Sequence, residues 1–362
     1  MNYLTNPRKL QFEISSTCNA LCLGCVRTDS NHYNTEKFLI PDKQYLPIDT
    51  FKKILTAPEF QTVSELEFCG TIDEPLMHPQ LIEFIEFAAT VKEYNIIIHT
   101  NASLRNEDYW RRLAAALLKN HKHILKFSID GLEDTNHIYR QNTSWDKIMK
   151  NAEAFIAAGG KASWQYLIFP WNEHQIMQAK ELSVKMGFFE FMSRHDRSRV
   201  TKVGLQMIQA LKLRDKQTRK INVPIRWSYP NATVDEINAK LADQVESEIE
   251  CNNQKQGMYF IGYDSKLWPC CFLHNGQFDY DEGKRNLLKK RLTDAYGSDD
   301  WNDLSKRTVG EVLAHDFYTA DLISSWNSNE HSECAGSRIH RCTETCASKK
   351  LKELPIGGYK VL

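Results

Sequence analysis

Six strand-like segments alternating with amphipathic helical ones predict an α/β fold built on a parallel sheet. Two further observations point the same way. The polar and cysteine-bearing motifs follow the C-terminal ends of the strand segments, where parallel α/β folds place their chemistry. The cysteines also fall into two groups flanking a cysteine-poor body, which sets a second unit behind the first.

The strand segments are KLQFEIS (9–15), ELEFCG (65–70), YNIIIHT (94–100), ILKFSID (124–130), ASWQYLIF (162–169) and FFEFMS (188–193). Each is short, apolar and rich in β-branched or aromatic residues. PIDTFKKIL, PQLIEFIEFAATVKEY, EDYWRRLAAALLKN, SWDKIMKNAEAFIAAGG and EHQIMQAKELSVKMG read as the intervening helices. In the second of these, Leu81, Ile82, Phe84, Ile85, Phe87, Ala88 and Val91 form a broad core-facing stripe. AAGG and KMG supply glycine stops. Periodicity does not choose between an open sheet and a full or partial barrel. Residues 196–250 read as a linker with helical segments, basic in KLRDKQTRK and acidic in VDEINAKLADQVESEIE. Residues 251–348 hold the later cysteines and a hairpin, GMYFIGYDSKLWPCCFL, turning at Asp264–Ser265; residues 349–362 form a tail.

The 46 basic residues are balanced by 46 acidic ones, so no global charge draws the chain to nucleic acid or an anionic membrane. No apolar run approaches the roughly 20 residues of a spanning helix. The N-terminus has no signal-peptide pattern, and the expected location is the cytoplasm. In a reducing compartment, clustered cysteines among the ten present indicate metal or redox chemistry rather than disulfides.

CNALCLGC places Cys18, Cys22 and Cys25 in a C-x3-C-x2-C pattern directly after the first strand. A structural zinc site needs a fourth ligand, for which His32 is a candidate. A [4Fe–4S] cluster held by only three thiolates keeps one iron open for another ligand. With its position after strand 1, the motif resembles the radical S-adenosylmethionine (SAM) enzymes. CGTIDEPLMHP (69–79) resembles that family's strand 2 loop, IIIHTNAS (96–103) its strand 3 edge, and FSIDGLEDTNHIYR (127–140) its strand 4 segment. The resemblance covers residues 9–193 well and 251–348 more loosely. It implies a partial (β/α)6 TIM-like barrel over residues 1–195. It also implies a 5′-deoxyadenosyl radical that abstracts a substrate hydrogen, and an external electron donor such as flavodoxin or ferredoxin.

By the same resemblance, Cys18, Cys22 and Cys25 hold the cluster that binds SAM. Gly70, Asp73 and Glu74 present acceptors to the methionyl ammonium group. Asn101 and Ser128 serve the ribose hydroxyls or the carboxylate. Asp130 serves the ribose or caps the turn at Gly131, and Arg140 pairs with the methionyl carboxylate. His78 reads as a helix-start residue and Cys69 as a small buried apolar one. Two positions depart from the family pattern. Gly24 stands where an aromatic or bulky residue usually packs on the adenine, and Ile72–Asp73 stand where two glycines are frequent.

The later cysteines resemble the C-terminal SPASM or twitch extension, which binds auxiliary iron–sulfur clusters. Cys251, Cys270, Cys342 and Cys346 are the expected ligands of one auxiliary [4Fe–4S] cluster, with Cys334 as substitute; four-thiolate zinc is the alternative. The subgroup implies oxidation or cross-linking of a peptide or protein side chain. With the barrel starting near residue 9, no leader-binding domain is expected to be fused in front of it. Dehydrogenation of a small sugar-like metabolite is the second reading. A non-catalytic metal- or RNA-binding protein is the third, suggested by the basic stretch 194–226.

Overall fold

Successive side chains point to opposite faces of a strand, so alternate residues of each strand meet the helices. The computed structural model describes residues 3–22, 25, 43–69, 72–120, 122–169, 171–195, 248–275, 292–328, 339, 342 and 346. Gly24, His32, Gly70, Cys334, the linker from 196 to 247 with most of its basic stretch, and the tail 349–362 lie outside the described residues.

The strands are β1 (Lys9–Phe12), β2 (Glu65–Phe68), β3 (Asn95–Thr100), β4 (Lys122–Ser128), β5 (Ala162–Ile168) and β6 (Glu190–His195). Between them run α1 (Ile48–Leu55), α2 (Leu81–Val91), α3 (Glu107–Leu117), α4 (Asn136–Tyr139), α5 (Trp145–Ala157) and α6 (Ile176–Lys185). All six strands pair in parallel, in chain order. The expected hairpin follows as β7 (Met258–Ile261) and β8 (Leu267–Trp268), antiparallel to each other, with Ser265 in the left-handed region at φ 64. β7 lies parallel to β1 on the side away from β2, giving an eight-stranded sheet in the order β6-β5-β4-β3-β2-β1-β7-β8 that does not close. This is the partial barrel.

Sequence and structure differ at the edges of elements. β1 ends at Phe12 rather than Ser15, although the Glu13 N–H still donates to Ile261 O of the neighbouring strand at 2.9 Å. β6 runs two residues past FFEFMS, into the start of the basic stretch. The single turn α4 was not legible, being shorter than two helical periods.

The outer face of the sheet is apolar. Leu10, Phe12, Leu66, Phe68, Ile98, Leu125, Phe127 and Trp164 are fully buried there. Aromatic rings join the layers: Phe12 to Phe51 of α1 at 5.1 Å, Phe51 to Phe84 of α2 at 4.4 Å, and Phe127 to Trp110 of α3 at 5.4 Å. Burying each such side chain stabilises the fold by about 1.5–3 kcal/mol. Side-chain caps start two of the helices, with Asn106 accepting from Tyr109 N and Ser144 from Lys147 N.

The inner face is polar. Lys9 Nζ lies 2.9 Å from Glu65 and 2.6 Å from Glu67, and His99 Nε2 lies 2.8 Å from Glu67. Burial alone would raise the Glu67 pKa, but His99 and Lys9 outweigh it and hold it at about 2. Because this lies below the unfolded value, the stabilisation is complete above pH 4.5 and disappears as pH falls toward 2. Glu67→Gln should therefore cost about 3 kcal/mol at pH 7, and less than half of that by pH 3. Urea unfolding of both proteins at the two pH values measures this; a pH-independent difference would contradict it.

Candidate functional site

The cysteine loop begins where β1 ends, with Thr17 N donating to Ser15 Oγ at 3.0 Å in a local turn. Cys18 follows, its Sγ accepting from Ala20 N at 3.4 Å. Cys25 N donates to Cys22 O at 3.3 Å, so the C-x2-C step is a backbone turn. Leu21 N donates to Gln141 O at 3.0 Å and docks this loop on the segment after β4. Two donors then face the thiols. Asn101 Nδ2 lies 3.7 Å from Cys18 Sγ, and Arg140 Nη1 lies 3.9 Å from Cys22 Sγ. Asn101 thus faces Cys18 and Arg140 faces Cys22, with Cys25 tied to Cys22 through the backbone.

The carboxylates lie behind this front. Glu74 is buried, and its oxygens accept from Thr100 Oγ1 at 2.6 Å, Asn101 N at 2.7 Å and Leu76 N at 3.4 Å. It ties the loop after β2 to the end of β3. Burial raises its pKa to about 7, against the pull of those donors. Asp73 is also buried and accepts from Ser15 N at 3.2 Å. Asp130 is fully buried, with Oδ2 accepting from Arg140 Nε and Oδ1 from Leu167 N, both at 2.7 Å. Burial pushes Asp130 up and Arg140 pulls it back down, while Asp130 and Cys22 hold the guanidinium charged against its own burial. Gly131, next in the chain, has φ 149, and a Cβ there would lie 2.7 Å from Asn136 N at the start of α4. Ser128 is half-buried at the end of β4.

Outside this front, His78 is buried, with Nε2 3.0 Å from Leu46 O and Nδ1 accepting from Gln80 N. It closes the turn Pro75–Met77, and Gln80, whose N–H its ring accepts, is the residue before α2. Cys69 is buried with Sγ 3.7 Å from Phe12 O.

Glu13 was not singled out in the sequence. It is fully buried, and its Oε1 accepts from Ile72 N and from Asp73 N, fixing the loop that carries Asp73 and Glu74. Its Oε2 lies 3.7 Å from His274 Nδ1, and His274 Nε2 lies 3.3 Å from Asp264 Oδ1. Burial raises the Glu13 pKa although His274 lowers it. The available signal was an acid in register with the polar inner face, one residue past β1.

The second group converges as well. Cys251, Cys270, Cys342 and Cys346 line one apolar pocket with Ile249, Pro269, Phe272, Leu273, Leu322 and Trp326. Cys251 shares a hydrogen bond with Cys346, which draws its pKa down to about 6 and pushes Cys346 up. Tyr3 OH lies 3.5 Å from Cys251 Sγ. Among the described residues, no three His, Cys, Asp or Glu side chains converge as closely as a single metal ion requires. No helix among them is long and apolar enough to cross a membrane.

Residues 12–182, which span β1 to α6 and include the C-x3-C-x2-C loop, match the Radical SAM superfamily. The chain carries a radical SAM domain over these residues. That family implies SAM and a [4Fe–4S] cluster. Among solved structures, the chain is similar to Streptococcus suis SuiB bound to precursor peptide SuiA, at 16% identity and a TM-score of 0.51 over 86% of this chain and 67% of SuiB. It is also similar to native anSMEcpe with bound AdoMet, at 13% identity and a TM-score of 0.50 over 86% of this chain and 82% of that one. At these identities the likeness is one of fold, and the chain spans about two thirds of SuiB. No curated protein matches the chain. In this radical SAM protein the three-cysteine loop sits at the C-terminal edge of the parallel sheet.

Proposed function

We propose that this chain is a radical SAM oxidoreductase or maturase that oxidises or cross-links a peptide or protein side chain, aided by one auxiliary iron–sulfur cluster. The observation that carries the reading is the C-x3-C-x2-C loop with Asn101 at Cys18 and Arg140 at Cys22, in a radical SAM domain. Three thiols beside an amide donor and a guanidinium suit a cluster with one open iron and a carboxylate-bearing ligand on it. When bound, this cluster and SAM would supply one-electron sulfonium cleavage and hydrogen abstraction, and an auxiliary cluster held by the later cysteines would supply an electron acceptor.

The chain's own groups hold and orient these partners. Cys18, Cys22 and Cys25 hold the first cluster. Arg140 meets the methionyl carboxylate, while Asp130, with both oxygens engaged, acts as its positioning residue rather than on the ribose. Glu74 is likewise engaged by Thr100 and Asn101 and fixes the loop beside the methionyl ammonium group, with Gly70 and Asp73 as the other acceptors. Asn101 and Ser128 serve the ribose or the carboxylate. Cys251, Cys270, Cys342 and Cys346 hold the auxiliary cluster, an assignment supported by their shared apolar pocket; Cys334 is the substitute. Residues 1–195 form the barrel core and 251–348 a SPASM- or twitch-like unit. The bound peptide in SuiB supports the choice of a peptide substrate, and flavodoxin or ferredoxin would supply the electron.

Anaerobic reconstitution with iron and sulfide, followed by SAM and dithionite, tests the proposal. Release of 5′-deoxyadenosine is the expected result. Zinc in both sites with no cleavage of SAM would sink it. Precursor peptides and sugar-like alcohols, incubated in parallel, separate side-chain modification from metabolite dehydrogenation.

A further inference from the structure

The inner face of the sheet carries a charge arrangement that the cysteine sites leave unused. Lys126 stands on β4 next to His99 in the β3–β4 register and next to Ser163 in the β4–β5 register. It is half-buried, and among the described residues it makes no hydrogen bond and no ion pair. Its neighbours are already engaged. His99 and Lys9 take up Glu67, the carboxylate whose charge most affects Lys126. Ser163 Oγ donates to Glu190 at 3.0 Å and accepts from Gln165 at 2.7 Å.

A second cation adds to the first. Arg194 on β6 is exposed, pairs in register with Leu167, and also makes no hydrogen bond or ion pair among the described residues. Its charge repels that of Lys126. Glu67 and Glu65 attract this ammonium while Lys9 and Arg194 repel it, so the water it has lost is not made good by a direct ion pair. Burial accordingly pushes the Lys126 pKa down. An anion supplied from outside would relieve both the lost hydration and the repulsion. Lys126 lies two residues before Ser128, so about 7 Å of strand separates it from that end of the sheet.

We propose that Lys126, backed by Arg194, binds a carboxylate of the substrate on the inner face of the sheet, so that the substrate is anionic. The word substrate rests on the radical SAM reading; the anion site does not. Two sources share this chemistry within a peptide, an acidic side chain and a C-terminal carboxylate.

The test uses reconstituted holoenzyme with SAM and three radiolabelled probes in equilibrium dialysis at low salt. N-acetylglutamate α-amide carries a side-chain carboxylate, N-acetylalanine a terminal one, and N-acetylglutamine α-amide is the neutral control. At least one acidic probe should bind about tenfold or more tighter than the neutral control. Lys126→Met should remove that advantage and Lys126→Arg should retain most of it. Lys126→Gln replaces the Met variant if that one does not fold. The better acidic probe identifies the source of the carboxylate. Equal binding of acidic and neutral probes, or full binding by the Met or Gln variant, overturns the inference. Release of 5′-deoxyadenosine by the wild-type protein in the same preparation reports separately on the radical SAM reading.

Discussion

A variant with Cys18, Cys22 and Cys25 all replaced by alanine is expected to hold about four irons per chain instead of about eight, and to release no 5′-deoxyadenosine. The loss should be complete rather than partial, because on the proposed function the open iron for SAM would exist only on the cluster these thiols hold. The iron that stays belongs to the pocket lined by Cys251, Cys270, Cys342 and Cys346, which is built from other elements. The reciprocal variant, Cys251→Ala with Cys270→Ala, should lose the other half of the iron and keep SAM cleavage without substrate. Loss of all iron from the triple variant would mean that the two groups do not form separate centres. Cleavage by the triple variant would remove the assignment of the first centre altogether.

The second large effect is expected at Asp130. Both of its oxygens are engaged, one by the guanidinium of Arg140 and one by Leu167 N. Asp130→Asn preserves an acceptor for Leu167 but turns an amide donor or a neutral oxygen toward a buried cation. Removing one partner of a buried pair typically costs about 3–5 kcal/mol. Affinity for SAM should fall at least about tenfold, since an unanchored Arg140 no longer presents its fork. A double variant, Asp130→Asn with Arg140→Met, should regain much of the stability and none of the affinity. That split distinguishes positioning from simple support of the fold. Unchanged SAM affinity in Asp130→Asn would show that Arg140 does not depend on this carboxylate to do its work.

Features written in local spacing were legible in the sequence, and those made by tertiary approach were not. Short apolar runs rich in β-branched and aromatic residues marked all six barrel strands. The C-x3-C-x2-C spacing likewise marked the first cysteine loop. Asp130 and Arg140 were both noticed, but their pairing to each other was not, because it depends on the turn at Gly131 and on α4 folding back. Glu13 was invisible for a stronger reason. Its partners Ile72, Asp73 and His274 come from the β2 loop and from the far side of the hairpin, and no short window contains them. Such a buried acid becomes apparent only when the surfaces around it are assembled.

The parallel pairing of β7 with β1 has a bearing on biosynthesis. β1 is synthesised long before its partner on one side, which ends at Ile261. Nearly two hundred residues separate the completion of β2 from that of β7, roughly ten to forty seconds of translation. Throughout that interval the nascent sheet has an open edge of unpaired backbone groups, the kind of edge that recruits other strands. A chain ended at residue 195 would keep this edge permanently and should self-associate. The hairpin of the second cysteine segment therefore acts as the late-arriving guard of the first strand.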